Sequence, residues 1–221
     1  MANLITFKTT EDPQVVWSLG DVKVSAIRST HIPGHSSYRV ETPAGSVVIG
    51  GDATNDVLTQ PRAHSASDQV ELLAKGVDVI VHSTMHPIMG PDRDSGMPSE
   101  VFNRQSSTTD LGAMAPRVNA KHLVLTHLGP SIGAAFQGAY KVPGGALTAA
   151  DSGRLPRRAD SPATSSWAPI WRACEFPGSE QGELRDPAVC FRGPRDHRVS
   201  ALVARMLRKM ETSNERCPHA R

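Results

Sequence analysis

The sequence predicts an α/β layered domain over residues 1–151, a mixed sheet flanked by helices, followed by an irregular basic tail over residues 152–221. Three observations predict it. Short runs rich in valine and isoleucine alternate with segments of helical period, the order expected when strands and helices pack in layers. Two segments, "VDVIVHS" and "KHLVLTHL", are built on short apolar runs and read as buried strands. Past Asp151 the alternation stops, and "SGRLPRRADSPATSSWAP" offers turn residues and arginines with no period.

In chain order, "VVWSLGDVKVSAIRS" reads as two short strands about a Gly20-Asp21 turn, with Val22, Val24 and Ile27 nearly alternating. "SYRVETPAGSVVIGGD" reads as a hairpin, two β-rich runs joined by "TPAG". "SASDQVELLAKG" reads as a helix capped by Ser65 or Ser67, with Val70, Leu72 and Leu73 inward and Gly76 ending it. The buried strand "VDVIVHS" follows. "SSTTDLGAMAPRV" is a second helix candidate, with Pro116 as its blemish, and "KHLVLTHL" is the next buried strand. In the tail, "HRVSALVARMLRKMET" has the period of a basic amphipathic helix, with Val199, Leu202, Val203, Met206 and Met210 on one side.

The 221 residues suffice for one domain with a sizeable core, or one domain with a tail. Charge divides at the same boundary as the pattern. Residues 1–151 hold 11 lysines and arginines against 14 aspartates and glutamates, and residues 152–221 hold 13 against 8. Cys174, Cys190 and Cys217 match no zinc-knuckle spacing, and an odd number argues against a closed disulfide framework. The opening "MANLITFKTTEDPQ" lacks the basic-then-apolar pattern of a signal peptide, and no apolar run approaches the roughly 20 residues that span a bilayer. The expectation is a soluble, cytoplasmic protein with no membrane partner.

The chemistry-bearing residues sit at strand ends. His31 closes "VSAIRSTH", Asp52 closes "SVVIGGD" and His127 closes "HLVLTH". A hydrolytic zinc site needs imidazole nitrogens and carboxylate oxygens with one position left for water. A carboxylate bridging two metals helps form hydroxide at neutral pH, and rigid strands fix the direction of such ligands. Singly, each is ambiguous. A strand-end histidine is more often a satisfied imidazole, and a strand-end aspartate is more often a turn former. The repetition of a buried strand ending in a metal-type residue is the signal. His82, after "VDVIV", is either a partner behind such ligands, a substrate contact, or a buried strand-end histidine bonded to backbone.

At these residues the sequence resembles the C-terminal half of a metallo-β-lactamase-fold hydrolase, nearest to the ribonuclease Z-like branch. "HIPGHSSYRVETPAGSVVIGGDATND" resembles the stretch that holds that family's third-motif histidine and its bridging aspartate, with His31, Gly34, His35 and Tyr38 meeting the spacing. "HLVLTHLGP" resembles the last metal motif. The resemblance covers roughly residues 15–151. It implies part of an αββα sandwich, two zinc ions, and His31, Asp52 and His127 as metal ligands, with His35 serving the turn or supporting the ligands from behind. It implies hydrolysis of a phosphodiester, sulfate ester, lactone or similar bond, with the loop from Met85 to Phe102 shaping the substrate.

Two departures matter. The branch places a proton-relaying histidine at a fixed distance before the last ligand; that position here is Gln105, in "NRQSSTTD", and an amide cannot shuttle a proton as imidazole does. The family's His-x-His-x-Asp-His cluster precedes the third-motif histidine, yet the 30 residues before His31 contain no histidine. The resemblance therefore implies a truncated, catalytically impaired chain with one sheet face unburied. Its partner would be a complementing N-terminal chain or a second copy. The tail raises a separate expectation. "SPATSSWAPIWRACEFP" admits codons that, read one base earlier, spell Phe-Thr-Gly-Asn-Val-Val-Val-Gly-Thr-Asp-Leu-Ala-Ser-Leu-Arg-Ile-Pro, which resembles the family's closing strands. A frame shift between about Asp151 and Asp160 is expected, and codons that forbid this frame would exclude it. The functional alternative for the basic tail is a nucleic-acid-binding arm.

Overall fold

Gly20, with φ +54°, turns the chain between the first two strands, β1 (Gln14–Leu19) and β2 (Val22–Arg28). The computed structural model describes residues 6–148 and the backbone of 172–173 and 189–192. β3 (Ser36–Thr42) and β4 (Gly45–Gly51) form the hairpin closed by Pro43 and Ala44. Then the chain crosses through α1 (Asp68–Leu73) to β5 (Val79–Met85), and through α2 (Ser99–Phe102) and α3 (Thr108–Arg117) to β6 (His122–Gly129). Those crossings make β4, β5 and β6 parallel, whereas β1 to β4 run as an antiparallel meander. The sheet is mixed, as the sequence predicts. A small hairpin of β7 (Phe136–Gln137) and β8 (Tyr140–Lys141) stands apart from it.

Two short pieces of the tail, Arg172–Ala173 as β9 and Val189–Arg192 as β10, continue the sheet in the order β6-β10-β9. The tail thus contributes strands where its sequence shows no period. The physical reason is the edge of β6, whose unpaired N–H and C=O groups accept an antiparallel partner through backbone alone. The tail's reading frame, its amphipathic helix and its basic arm lie outside the described residues. No helix among the described residues is long and apolar enough to cross a membrane.

Ser67 caps α1, its side chain accepting from the Val70 N–H, and Ser65 turns instead to the carboxylate of Asp110. Ser107 caps α3 in the same way through the Asp110 N–H. Replacing Ser67 by alanine leaves that buried N–H without its acceptor, so a loss of about 1 kcal/mol in a urea melt is expected. One expectation for α1 is corrected: Val70 and Leu73 are buried but Leu72 is 40% exposed. The helix spans six residues, less than two turns, so it presents one narrow stripe to the sheet and Leu72 falls off it.

That stripe and α3 cover one face of the sheet. Ile27, Val48, Ile80, Leu123 and Leu125 meet Val70, Leu73, Leu111 and Met114 in one wholly buried cluster. A second cluster of Met85, Met89, Met97, Val142 and Leu147 anchors the loops that follow β5 and β6. The register puts Trp17, Val24, Val40 and Val47 in one row of the opposite face, and Tyr38, Ile49, Val81 and Val124 in another. Those rows carry no charged side chain. Phe7 lies edge-on over Tyr38, yet Trp17 is 38% and Ile49 41% exposed. A sheet apolar on both faces is the pattern of a layer covered on both sides, and among the described residues only one side is covered by helices.

Candidate active site

Parallel strands β4, β5 and β6 end on the same side of the sheet, which is where open α/β sheets place their ligands. Two irregularities shape that edge. On β4, Ile49 pairs with Val81 and Gly51 with His82, so Gly50 is an extra residue. Gly51 then takes φ +61° and the chain leaves the strand at Asp52. On β6, Thr126 pairs with Ser83 and Leu128 with Thr84, so His127 is the extra residue. Its φ is +45°, a left-handed conformation costing a non-glycine residue about 1–2 kcal/mol. Such bulges re-aim side chains at strand ends, and here both serve the same spot. His31 follows the end of β2, which runs the same way as β4 and so ends at the same edge, and there the Thr54 N–H donates to the Thr30 carbonyl and ties the two loops together.

The structure brings His31, Asp52 and His127 together. Asp52 Oδ2 lies 3.7 Å from His31 Nε2, and Asp52 Oδ1 lies 3.1 Å from His127 Nδ1. Each carboxylate oxygen therefore faces a different imidazole. His31 Nδ1 lies 3.0 Å from the Arg104 carbonyl, which can only accept, so Nδ1 carries the proton and Nε2 presents its lone pair to the site. Burial pushes the Asp52 carboxyl up, but hydrogen bonds from Ser83 and His127 and the electrostatic influence of the His127 and His31 rings outweigh it and hold it below the usual carboxylate range.

Other candidates stand around this trio. Gln105 reaches Ser83, with its Oε1 3.2 Å from Ser83 Oγ, and that hydroxyl lies 2.8 Å from the Gly51 carbonyl. Gln105 is thus placed to orient Ser83 rather than to carry a proton. His35 packs edge-on against His31, ring centres 5.5 Å apart, and its Nδ1 lies 2.8 Å from Ser29 Oγ. Burial, then the charge of His31, push the His35 imidazole down from its usual value.

His82 is wholly buried, and its Nδ1 donates to the Ser83 carbonyl at 2.6 Å. Its Nε2 has no hydrogen-bond partner among the described residues. Burial drives its pKa down to about 4, so it is neutral at physiological pH. The ring fills the space above Gly50, not the open site. Ser83 and the Arg104 carbonyl are participants that sequence reading missed; the doubled glycine before Asp52 was the one local signal of unusual backbone.

A cavity of about 350 Å³ opens onto His31, Gln105 and His127 and is walled by Met85, Glu100, Val101 and Arg104. It falls within the roughly 300–1,000 Å³ typical of small-molecule sites. For a metal, the donors fit in kind. Ligands at about 2.0–2.2 Å stand roughly 3–3.5 Å from each other; the 3.1 Å between His127 and Asp52 falls in that range and the 3.7 Å between His31 and Asp52 lies just beyond it. They fall short in number: each metal would receive one imidazole and one carboxylate oxygen, and a catalytic zinc takes three protein ligands. Among the described residues no group of three or more histidines, cysteines or acids is arranged to hold a metal ion.

Helices cover one face of this mixed sheet, and Asp52 and His127 stand at the ends of its parallel strands β4 and β6. The chain's sequence is similar to ribonuclease Z over part of its length. Ribonuclease Z of Mycobacterium tuberculosis strain H37Rv is 27% identical over 119 residues, 53% of this chain and 40% of that protein. Ribonuclease Z of Mycobacterium bovis strain BCG Pasteur gives the same identity over 53% of this chain and 39% of its own. The crystal structure of the short form of human tRNase Z covers 54% of this chain and 40% of that one, at 19% identity and a TM-score of 0.39. The metallo-β-lactamase fold protein YhfI from Bacillus subtilis covers 57% and 46%, at 14% identity and a TM-score of 0.37. No family model matches. The chain spans about 40% of the length of the curated relatives it matches.

Proposed function

We propose that this chain carries the bridging part of a two-zinc hydrolase site acting on a phosphodiester or related ester or lactone. One observation carries the reading: the two oxygens of Asp52 each face a separate imidazole, which is how a carboxylate shared by two metals is set. His31 and Asp52 would hold one ion, and His127 and Asp52 the other. When bound, the metals supply a hydroxide at neutral pH. The protein's own part is to fix the ligands. The Arg104 carbonyl sets the His31 tautomer, Ser83 and Gln105 hold the Gly51–Asp52 exit, and the cavity wall receives the ester. Gln105 offers no proton relay, so a tRNA-processing activity like that named for the relatives is not part of the proposal.

A second reading, a non-catalytic chain that binds a complementing polypeptide, is supported by the apolar rows on the sheet face that no described helix covers and by the shortfall in metal donors. The two readings part on zinc per chain, measured by elemental mass spectrometry after zinc loading and dialysis against metal-free buffer. About two zinc ions, lost in Asp52→Ala, is the result expected of the hydrolase site. A value near zero, rescued neither by zinc nor by manganese, overturns it and leaves the partner-binding reading.

A further inference from the structure

Six arginines fall within residues 6–148. Five have side-chain partners. Arg28 meets Glu11, Arg39 the carbonyls of Leu73 and Lys75, Arg62 Thr54 and Asn103, Arg93 Asp92, and Arg117 Glu71. Arg104 has none among the described residues, and it lines the cavity that opens onto His31 and His127. Its position is fixed by its own backbone, since its carbonyl takes the His31 Nδ1 proton. The neighbouring residues are pinned as well. The side chain of Asn103 donates to the Leu58 carbonyl at 2.9 Å, and Thr54 donates to the carbonyls of Asn103 and Gln105.

Glu100 stands four residues earlier and lines the same cavity. At that spacing opposite charges on a helical turn normally meet. No ion pair joins Glu100 and Arg104, so among the described residues both charges line the cavity unpaired. A guanidinium is the natural receptor for the oxygens of a phosphate ester, which it can take two at a time. A carboxylate beside it lowers the attraction for anions.

From this the structure assigns Arg104 as a specificity-determining residue: it reads the negative charge of a phosphodiester entering the cavity, and Glu100 opposes it and limits how much anionic charge is admitted. The assignment rests on the hydrolase reading for its role in a reaction, but not for the binding it requires.

The test is an amide chemical-shift titration of the full metal-free chain with dimethyl phosphate, an anionic diester, and trimethyl phosphate, its neutral counterpart. Arg104→Ala is expected to weaken dimethyl phosphate about fivefold and to leave trimethyl phosphate unchanged, with Arg104→Lys in between. Glu100→Gln is expected to strengthen dimethyl phosphate about twofold. Failure of the parent chain to bind dimethyl phosphate, no change in Arg104→Ala, or an equal loss for both esters would overturn the assignment. Unaltered amide spectra away from the cavity show that the variants fold. Because no metal is present, a failed zinc count sinks the hydrolase reading without touching this result, and a failed titration leaves the zinc count standing.

Discussion

Gly50→Ala is expected to destabilise the chain by about 3 kcal/mol, a large share of the stability of an ordinary domain. The backbone is not the cause, since Gly50 is absent from the positions with positive φ. The cause is a single contact. A Cβ at Gly50 would stand 2.1 Å from Cδ2 and 2.7 Å from Nε2 of His82. The ring cannot swing aside, because it is wholly buried and its Nδ1 is held by the Ser83 carbonyl. Either β4 moves out or the imidazole is forced from its rotamer, and Asp52 lies two residues further on. Urea melts of the parent, Gly50→Ala, His82→Ala and the double variant would measure it. The double variant is expected to be more stable than the sum of the single losses predicts, since each change makes room for the other. Strict additivity would show that the contact with His82 is not what excludes a side chain at Gly50.

Much of this arrangement is legible in the sequence, and the part that is not has a definite origin. Strands "VDVIVHS" and "KHLVLTHL" are readable because compact runs of branched aliphatics, Val79–Val81 and Leu123–Leu125, bounded by polar residues, mark buried strands. The gathering of His31, Asp52 and His127 follows once three strands end in such residues and run to one edge. What local pattern does not encode is register. That Gly50 and His127 are each an extra residue opposite β5 depends on which residues of the neighbouring strand they meet, and no period in β4 or β6 announces it. Backbone partners are equally silent: any residue at position 104 has a carbonyl, so its hold on His31 leaves no compositional trace. Leu72 fails for a third reason. Over six residues a helical stripe cannot be told from its neighbour, and the sheet beneath α1 decides which leucine is buried.

Acid is expected to remove about 2 kcal/mol of stability by pH 5, before most carboxylates titrate, and His82 is the main reason. In the unfolded chain its imidazole has an ordinary pKa near 6.5, whereas burial lowers it to about 4 in the folded chain. Between those values the unfolded state binds the extra proton, so stability falls as pH drops. The contribution is complete above pH 6.5, and roughly 2 kcal/mol of it is gone by pH 5. Below about pH 4 both states are protonated and this group has no further effect. His35, also lowered by burial and then by His31, adds a smaller loss of the same sign in the same window. Asp52 and Asp78 are held below the usual carboxylate range, so their contributions are lost only at lower pH. Urea midpoints at pH 7, 6 and 5 should therefore fall in the parent chain and fall much less in His82→Gln, which keeps bulk but cannot titrate. A proton resonance of the His82 ring titrating near pH 4 would report the same displacement directly. A midpoint near 6.5, or an unchanged slope in the variant, would mean that the ring reaches water and that the strand end carrying Asp52 opens more readily than its packing against Gly50 implies.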